Sequence, residues 1–209
     1  MSGVGSETWE RLGVSRESVA RLEALVALTQ TWQRHINLIA HSTVAEIWTR
    51  HVLDSAQLLP LIHINISAIA DLGSGGGFPA LVLAAIQPAP VHMFESNAKK
   101  SAFLAEALRQ MGVKGFVHSE RLEQRKAPKN MPEVQLVTAR AFAPLIELLG
   151  YAEPFFIKGA TGLFHKGQDI DAELTTAAKS WTITAQQHSS LTDSHAVILE
   201  VKEIAHVDT

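Results

Sequence analysis

The chain has 209 residues, 46% of them hydrophobic and 19% charged, and a net charge of −3. It contains no cysteine, which excludes thiol nucleophiles, disulfides and cysteine-ligated zinc and fits a reducing, cytoplasmic setting. The N-terminal "MSGVGSETWERLG" lacks a basic stretch followed by an apolar core, and the longest apolar run, Phe78 to Ile86, is far below the ~20 residues of a membrane span, so neither a signal peptide nor membrane association is expected.

Ser15 opens the first helical pattern: Val19, Leu22, Leu25, Val26, Leu28, Trp32 and Ile36 recur at helical spacing. Thr43 and Glu46 have the T-x-x-E spacing of a capping box, ahead of a second run through Ile47, Trp48, Val52, Leu53 and Leu58. Pro60 lies near its end. No Gly- or Pro-rich linker follows. Residues 1–62 are therefore expected to form a helical extension packed on a main domain of residues 63–209.

From Ser67 the pattern alternates. Strand-like runs are "SAIADL", "VHMFE", "GFVHS", "VQLVTA", "TGLFHK", "SWTITAQQH" and "HAVILEV". Helix-like runs are "PALVLAAI", "AKKSAFLAEALRQM", "APLIELLGYA" and "DAELTTAAKS". Strand following helix in this way predicts an α/β fold with a mostly parallel sheet. Only a turn separates the last two strands, which predicts that they pair antiparallel.

Between the first strand and the first crossover helix lies "DLGSGGGFP", Asp71 to Pro79. Four glycines in five positions weaken any helix or strand, so this is a turn with bare backbone. Such a turn at the carboxyl end of a strand is where doubly wound sheets bind ligands, with helix N–H groups exposed. A phosphate loop needs Lys then Ser/Thr after the glycines, and Phe78 and Pro79 stand there instead. The nicotinamide pattern G-x-G-x-x-G fits Gly73 and Gly75, but its third glycine is Phe78. S-adenosylmethionine needs an open loop, such as Gly73, Gly75 and Gly77 with Phe78 provide, and an acid for the ribose. Asp71 is expected to organise the turn and the ligand's ammonium group. Glu95, ending the second strand, is expected to accept from the ribose hydroxyls.

Charge is unevenly distributed. From Glu95 to Arg140 there are nine basic residues against five acids, a local +4 that leaves −7 elsewhere. An asymmetry of this kind marks a candidate anion-binding face. The ten histidines are scattered without a metal-binding spacing, and no metal is assigned.

The segments "DLGSGGGFP", "FESNAKKSAFL", "RLEQ", "ARAFAPL" and "HKG" stand in the order and spacing of the bacterial glucose-inhibited division protein B family. The N-terminal "WQRHINLIA" and "RHVLDS" also resemble that family's helical segment. The resemblance runs from about Trp32 to Gly167. It implies a class I S-adenosylmethionine-dependent methyltransferase, Rossmann-like, with a seven-stranded sheet and an N-terminal helical extension. It also implies methylation of 16S ribosomal RNA at N7 of guanine 527, in the 30S subunit or its assembly intermediate, by a monomer.

Carried over position by position, Gly73 and Phe78 match cofactor-loop residues, and Leu122 with Glu123 match a pair at the adenosine end. Arg140 matches an arginine close to cofactor and substrate, here the candidate catalytic residue. Lys166 matches the lysine of the turn after the fifth strand. Ala139 and Ala80 depart from a commoner serine and glycine; neither change removes a charge. Asn37, Arg50 and His51 are candidates for bordering the substrate cleft, and Asp54 shares a helix face with His51. Lys99, Lys100, Arg121, Arg125 and Lys126 are candidates for RNA phosphates. Two alternatives stay open: a methyltransferase of another substrate, and a non-catalytic ribosome-assembly factor.

Overall fold

A computed structural model describes residues 4–62, 66–122 and 133–207. Its centre is a seven-stranded sheet in the order β3-β2-β1-β4-β5-β7-β6. The strands are β1 (Ile69–Leu72), β2 (Val91–Phe94), β3 (Gly115–His118), β4 (Leu136–Arg140), β5 (Thr161–Lys166), β6 (Trp181–Ser189) and β7 (Val197–His206). The first five are parallel. β7 runs antiparallel to β5 and forms a hairpin with β6. All seven expected strands are present, and the last two pair as their short connection required.

β1 lies inside the sheet between β2 and β4, and all four of its residues are buried. Helices cover both faces, which is why burial along the strand is continuous rather than alternating, with Asp71 as its one charged residue. Among the described residues there are seven α-helices, numbered α1 to α7 in chain order. They are Ser6–Arg11, Arg16–Trp32, Asp54–Ala56, Ala80–Ile86, Ala98–Met111, Leu145–Phe156 and Ile170–Ala177. α1 is too short to show a period. α2 is capped as its sequence suggests, with the Ser15 hydroxyl accepting from the Ser18 N–H. α5 is punctuated at both ends. Asn97 accepts from the N–H groups of Lys99 and Lys100, and Gly112 closes the helix in the left-handed region at φ 63°.

Two apolar cores lie on the two faces of the sheet. One unites the extension with the main domain: Trp9, Leu22, Leu25 and Leu58 pack with Leu81, Phe103 and Leu104. Trp32 meets Phe103 edge-on at 5.7 Å between centroids. The other core packs α6 and α7 on the opposite face, around Leu148, Phe155 and Phe164. No helix among the described residues is long and apolar enough to cross a membrane.

One local expectation fails. Thr43 caps nothing. It lies in a 3₁₀ turn, His41–Thr43, and the helical segment Trp48–Leu53 starts at Ile47 without a side-chain cap. That segment is a π-helix that runs directly into α3. The Thr43 hydroxyl donates instead to the Ala40 carbonyl at 2.9 Å and contacts His51 Nε2 at 2.7 Å.

Candidate active site

A cavity of about 400 Å³ opens at the carboxyl ends of β1, β2 and β4. Its floor is the loop Gly73 to Gly76 with Phe78. Its sides are Phe94, Glu95 and Ser96 after β2, Glu120 to Leu122 after β3, and Arg140 to Phe142 after β4.

The glycines of the loop do different jobs. Gly73 has φ +67°, and a Cβ there would lie 2.1 Å from the Phe142 ring. A Cβ on Gly76 would come within 2.5 Å of the Leu38 carbonyl, and one on Gly77 within 2.3 Å of Leu81. These three are bare because neighbouring parts of the fold press on them. Only Gly75, at φ +54°, faces open space, its nearest neighbour being the Gly73 carbonyl at 3.6 Å. Close approach of a ligand is thus a property of Gly75, and tight packing accounts for the rest.

Two carboxylates shape the loop. Glu95 is nearly buried and accepts from Gly75 N–H at 2.8 Å and from Asn97 N–H at 2.7 Å. It faces the cavity while clamping the loop. Asp71 does not line the cavity. Its carboxylate points across the sheet, where Thr138 of β4 donates to it at 2.6 Å. Complete burial pushes its pKa up to about 6, against the opposing hydrogen bonds from Ser74 and Thr138. Asp71 thus braces the start of the loop against β4 and is not among the residues that line the cavity.

A second cavity, of about 920 Å³, adjoins the first. Leu38, Arg140, Ala141 and Phe142 line both. Ala141 holds φ at +50°, a region a residue with a Cβ rarely adopts, where the chain turns between the two. Arg140 sits in the partition above the Phe78 ring, 5.7 Å from its centroid. It donates through Nη1 to the Arg50 carbonyl and to Asp54, each at 3.0 Å, and through Nη2 to His51 Nδ1 at 2.7 Å. The extension therefore holds Arg140 directly, and its Leu38 also lines both cavities.

The other expected residues separate into groups. Gly73, Gly75, Phe78, Glu95 and Leu122 line the first cavity with Lys100 and Arg121. Gly77 does not. Arg50, His51 and Lys166 line the second. There Arg50 pairs with Asp193 at 3.0 Å, and Lys166 with Glu173 at 2.5 Å. Lys166 is nearly buried, so its ammonium is a strut rather than a free phosphate contact. Asn37 is exposed, lines neither cavity and accepts from Gln33 at 3.3 Å. Lys99 is exposed outside both. Glu123, Arg125 and Lys126 lie outside the described residues. Sequence reasoning missed Leu38, Ser96, Glu120, Ala141, Phe142 and His165. Of these only Glu120 lies outside the segments quoted above; the other five stand within them, but no residue type or spacing there marks them for the site.

The first cavity suits S-adenosylmethionine in size and lining. Glu95 can take ribose hydroxyls on its remaining lone pairs, Phe94 and Leu122 offer apolar surface to an adenine, and Gly75 leaves room beside the backbone. Among the described residues no cluster of His, Cys, Asp and Glu could hold a metal ion.

Known proteins identify the family and the fold. The family model GidB, described as rRNA small subunit methyltransferase G, matches residues 18–202. The ribosomal RNA small subunit methyltransferase G of Rhodospirillum rubrum is 48% identical over 91% of this chain and 93% of its own. That of Paramagnetospirillum magneticum is 44% identical over 95% of each. Among solved structures, cofactor-bound Rv0187 from MTB is similar in fold, with a TM-score of 0.59 at 15% identity over 88% of this chain and 89% of its own. A putative O-methyltransferase from Klebsiella pneumoniae has a TM-score of 0.58 at 13% identity, over 88% and 90%. A seven-stranded sheet ending in the antiparallel β7, the open Gly75 beside Glu95 and a family match over nearly the whole length agree: the chain belongs to the GidB family, the rRNA small subunit methyltransferases G.

Proposed function

We infer that the protein methylates small-subunit ribosomal RNA, at N7 of guanine 527 of the 16S molecule, with S-adenosylmethionine as donor. The observation that carries this reading is the pair of cavities sharing the wall of Leu38, Arg140, Ala141 and Phe142. One is sized for the donor. The other is large enough for a nucleobase.

When bound, the donor supplies an electrophilic methyl group on a positively charged sulfur. Guanine N7 has a lone pair and no proton, so the residues of this chain need not remove one. Their work is to hold N7, methyl carbon and sulfur in line, which is worth several powers of ten in rate. Attack by N7 leaves the purine positively charged. Arg140 could donate to the neighbouring O6 or to a phosphate from the partition. Asp54, 3.0 Å away, offsets the arginine's own charge. The proposed substrate particle is the 30S subunit or its assembly intermediate. The proposed acting unit is a monomer in the cytoplasm, since one chain lines both cavities.

The test is methyl transfer from labelled donor to 30S subunits, naked 16S RNA and an RNA-free cell extract. Label is expected in the RNA, at a site cleaved by aniline after borohydride reduction. Label in proteins or small molecules of the extract would move the substrate elsewhere. Intact 30S binding without any transfer would make the protein a non-catalytic assembly factor.

A further inference from the structure

We propose that His51 is a positioning residue for methyl transfer: a neutral acceptor, locked in one tautomer by Thr43, that fixes the Arg140 guanidinium in the wall between the two cavities. This rests on the function proposed above and assigns a part in it to the helical extension.

The chemistry of the donors dictates the tautomer. A guanidinium has five N–H donors and no acceptor. His51 Nδ1, 2.7 Å from Arg140 Nη2, must therefore accept. The ring proton is then on Nε2, which donates to Thr43 Oγ1 at 2.7 Å. The Thr43 hydroxyl donates in turn to the Ala40 carbonyl at 2.9 Å. Every bond in this chain has one possible direction. Had Thr43 been the helix cap its spacing suggested, its oxygen would have been engaged elsewhere.

The arrangement leaves Arg140 partly committed. Arg50, Asp54 and His51 take three of its N–H groups. Two, including Nε–H, have no partner among the described residues. Those two are the donors a guanine carbonyl or phosphate can use, and their direction is set by the three that are held. The His51 ring is fixed in turn against Phe78, 5.1 Å between centroids. Phe78 itself lines the first cavity.

Neutrality matters as much as direction. The purine becomes cationic as the methyl arrives, so a second cation in the wall would oppose the reaction. Asp54 offsets Arg140, and a neutral His51 adds no charge. Burial, then the Arg140 cation, hold the His51 pKa down at about 4. Asp54 pulls the other way, and Arg50 adds to the lowering.

A bolt joining extension to core would look similar in a static structure, so the experiment separates the two ring nitrogens. His51→Asn places an amide oxygen near the position of Nδ1 and keeps the Arg140 acceptor. His51→Gln reaches instead toward Nε2, keeping the Thr43 partner and losing that acceptor. With 30S subunits, His51→Gln is expected to lower kcat about tenfold or more. KM for the donor should stay within about twofold, because His51 does not line the first cavity. His51→Asn should keep at least about threefold more kcat than His51→Gln at a similar Tm. Equal losses in the two variants, or losses that follow Tm, would overturn the proposal. A second readout needs no methylation: side-chain ¹⁵N spectra of the free wild-type protein at pH 7 should show His51 protonated at Nε2 and bare at Nδ1. A proton on Nδ1 would overturn the proposal even in an active enzyme. A wild-type protein that shows the expected tautomer yet methylates no RNA would sink the proposed function and leave the Arg140–His51 relationship standing.

Discussion

Glu95 accepts the backbone N–H of Gly75 through one carboxylate oxygen at 2.8 Å, and through the other it accepts that of Asn97 at 2.7 Å. One side chain thus ties the one glycine of the Gly73–Gly77 loop that is free of close packing to the cap of α5. Glu95→Gln retains the shape but replaces one acceptor with a donor, so one backbone N–H must face an NH₂ group. An unmet buried donor costs about 1–3 kcal/mol. The variant is expected to unfold at lower urea concentration and to bind S-adenosylmethionine about tenfold or more weakly. Calorimetry giving wild-type affinity would remove Glu95 from the binding site.

The loop glycines make a graded prediction. Gly75→Ala places a Cβ in open space and suffers mainly from its φ of +54°, a cost of about 1–2 kcal/mol. Gly73→Ala has the same backbone problem and in addition drives a Cβ into Phe142. Overpacking of that kind adds about 1–3 kcal/mol. Gly73→Ala should therefore be clearly the less stable of the two in urea unfolding. Gly75→Ala should lose donor affinity with the smaller loss of stability. The reverse order would mean that the loop packs differently from the structure.

Much of this architecture was legible because the physics that sets it is local. Ile69 to Leu72 reads as a buried parallel strand, and Asn97 and Gly112 bracket α5 by capping preferences that act within a turn. What stayed hidden depends on distant partners. The π-helix at Trp48–Leu53 gives a carbonyl to Arg140, ninety residues away in sequence. Four clustered glycines read as ligand-facing, yet Phe142, Leu38 and Leu81 explain three of them. Lys166 matched the lysine of the turn after the fifth strand, but nothing local showed that Glu173, seven residues on, holds its ammonium. Composition reveals a charged side chain; only the fold reveals whether another charge has already claimed it.

The buried titratable groups oppose each other in pH. Asp71 has a folded pKa of about 6, above its usual 3.8, so the folded state holds the proton more tightly. Its contribution is favourable below about pH 4 and declines as pH rises to about 6. His51 and His92 behave oppositely. Burial lowers both from 6.5 to about 4, so each costs stability as pH falls below 6.5. Asp71→Asn removes the first effect and keeps an acceptor for Thr138. Relative to wild type, the variant should gain stability between pH 4 and 7, by up to about 3 kcal/mol from a shift of roughly two pH units. Urea titrations across that range measure it. A difference independent of pH would show that Asp71 is ionised in the folded protein throughout.

Arg140 serves two ends, which a double-mutant cycle can separate. Its pairing with Asp54 is largely but not completely shielded from solvent, at 18% and 14% side-chain exposure, and joins the extension to β4. Removing either partner leaves the other unpaired, although Asp54 keeps Thr192 and Gln57 as donors. In unfolding experiments on Arg140→Ala, Asp54→Ala and the double variant, the coupling is expected at about 1–2 kcal/mol, below the figure for a fully buried pair. Methylation should follow another pattern. Arg140→Ala loses the donors directed at substrate and should fall by about a hundredfold or more in kcat. Asp54→Ala leaves the arginine present but misdirected and uncompensated, and should fall less. If the two single variants lose activity equally and in proportion to stability, Arg140 is a structural tie between extension and core, and the group that orients the base must be sought elsewhere in the larger cavity.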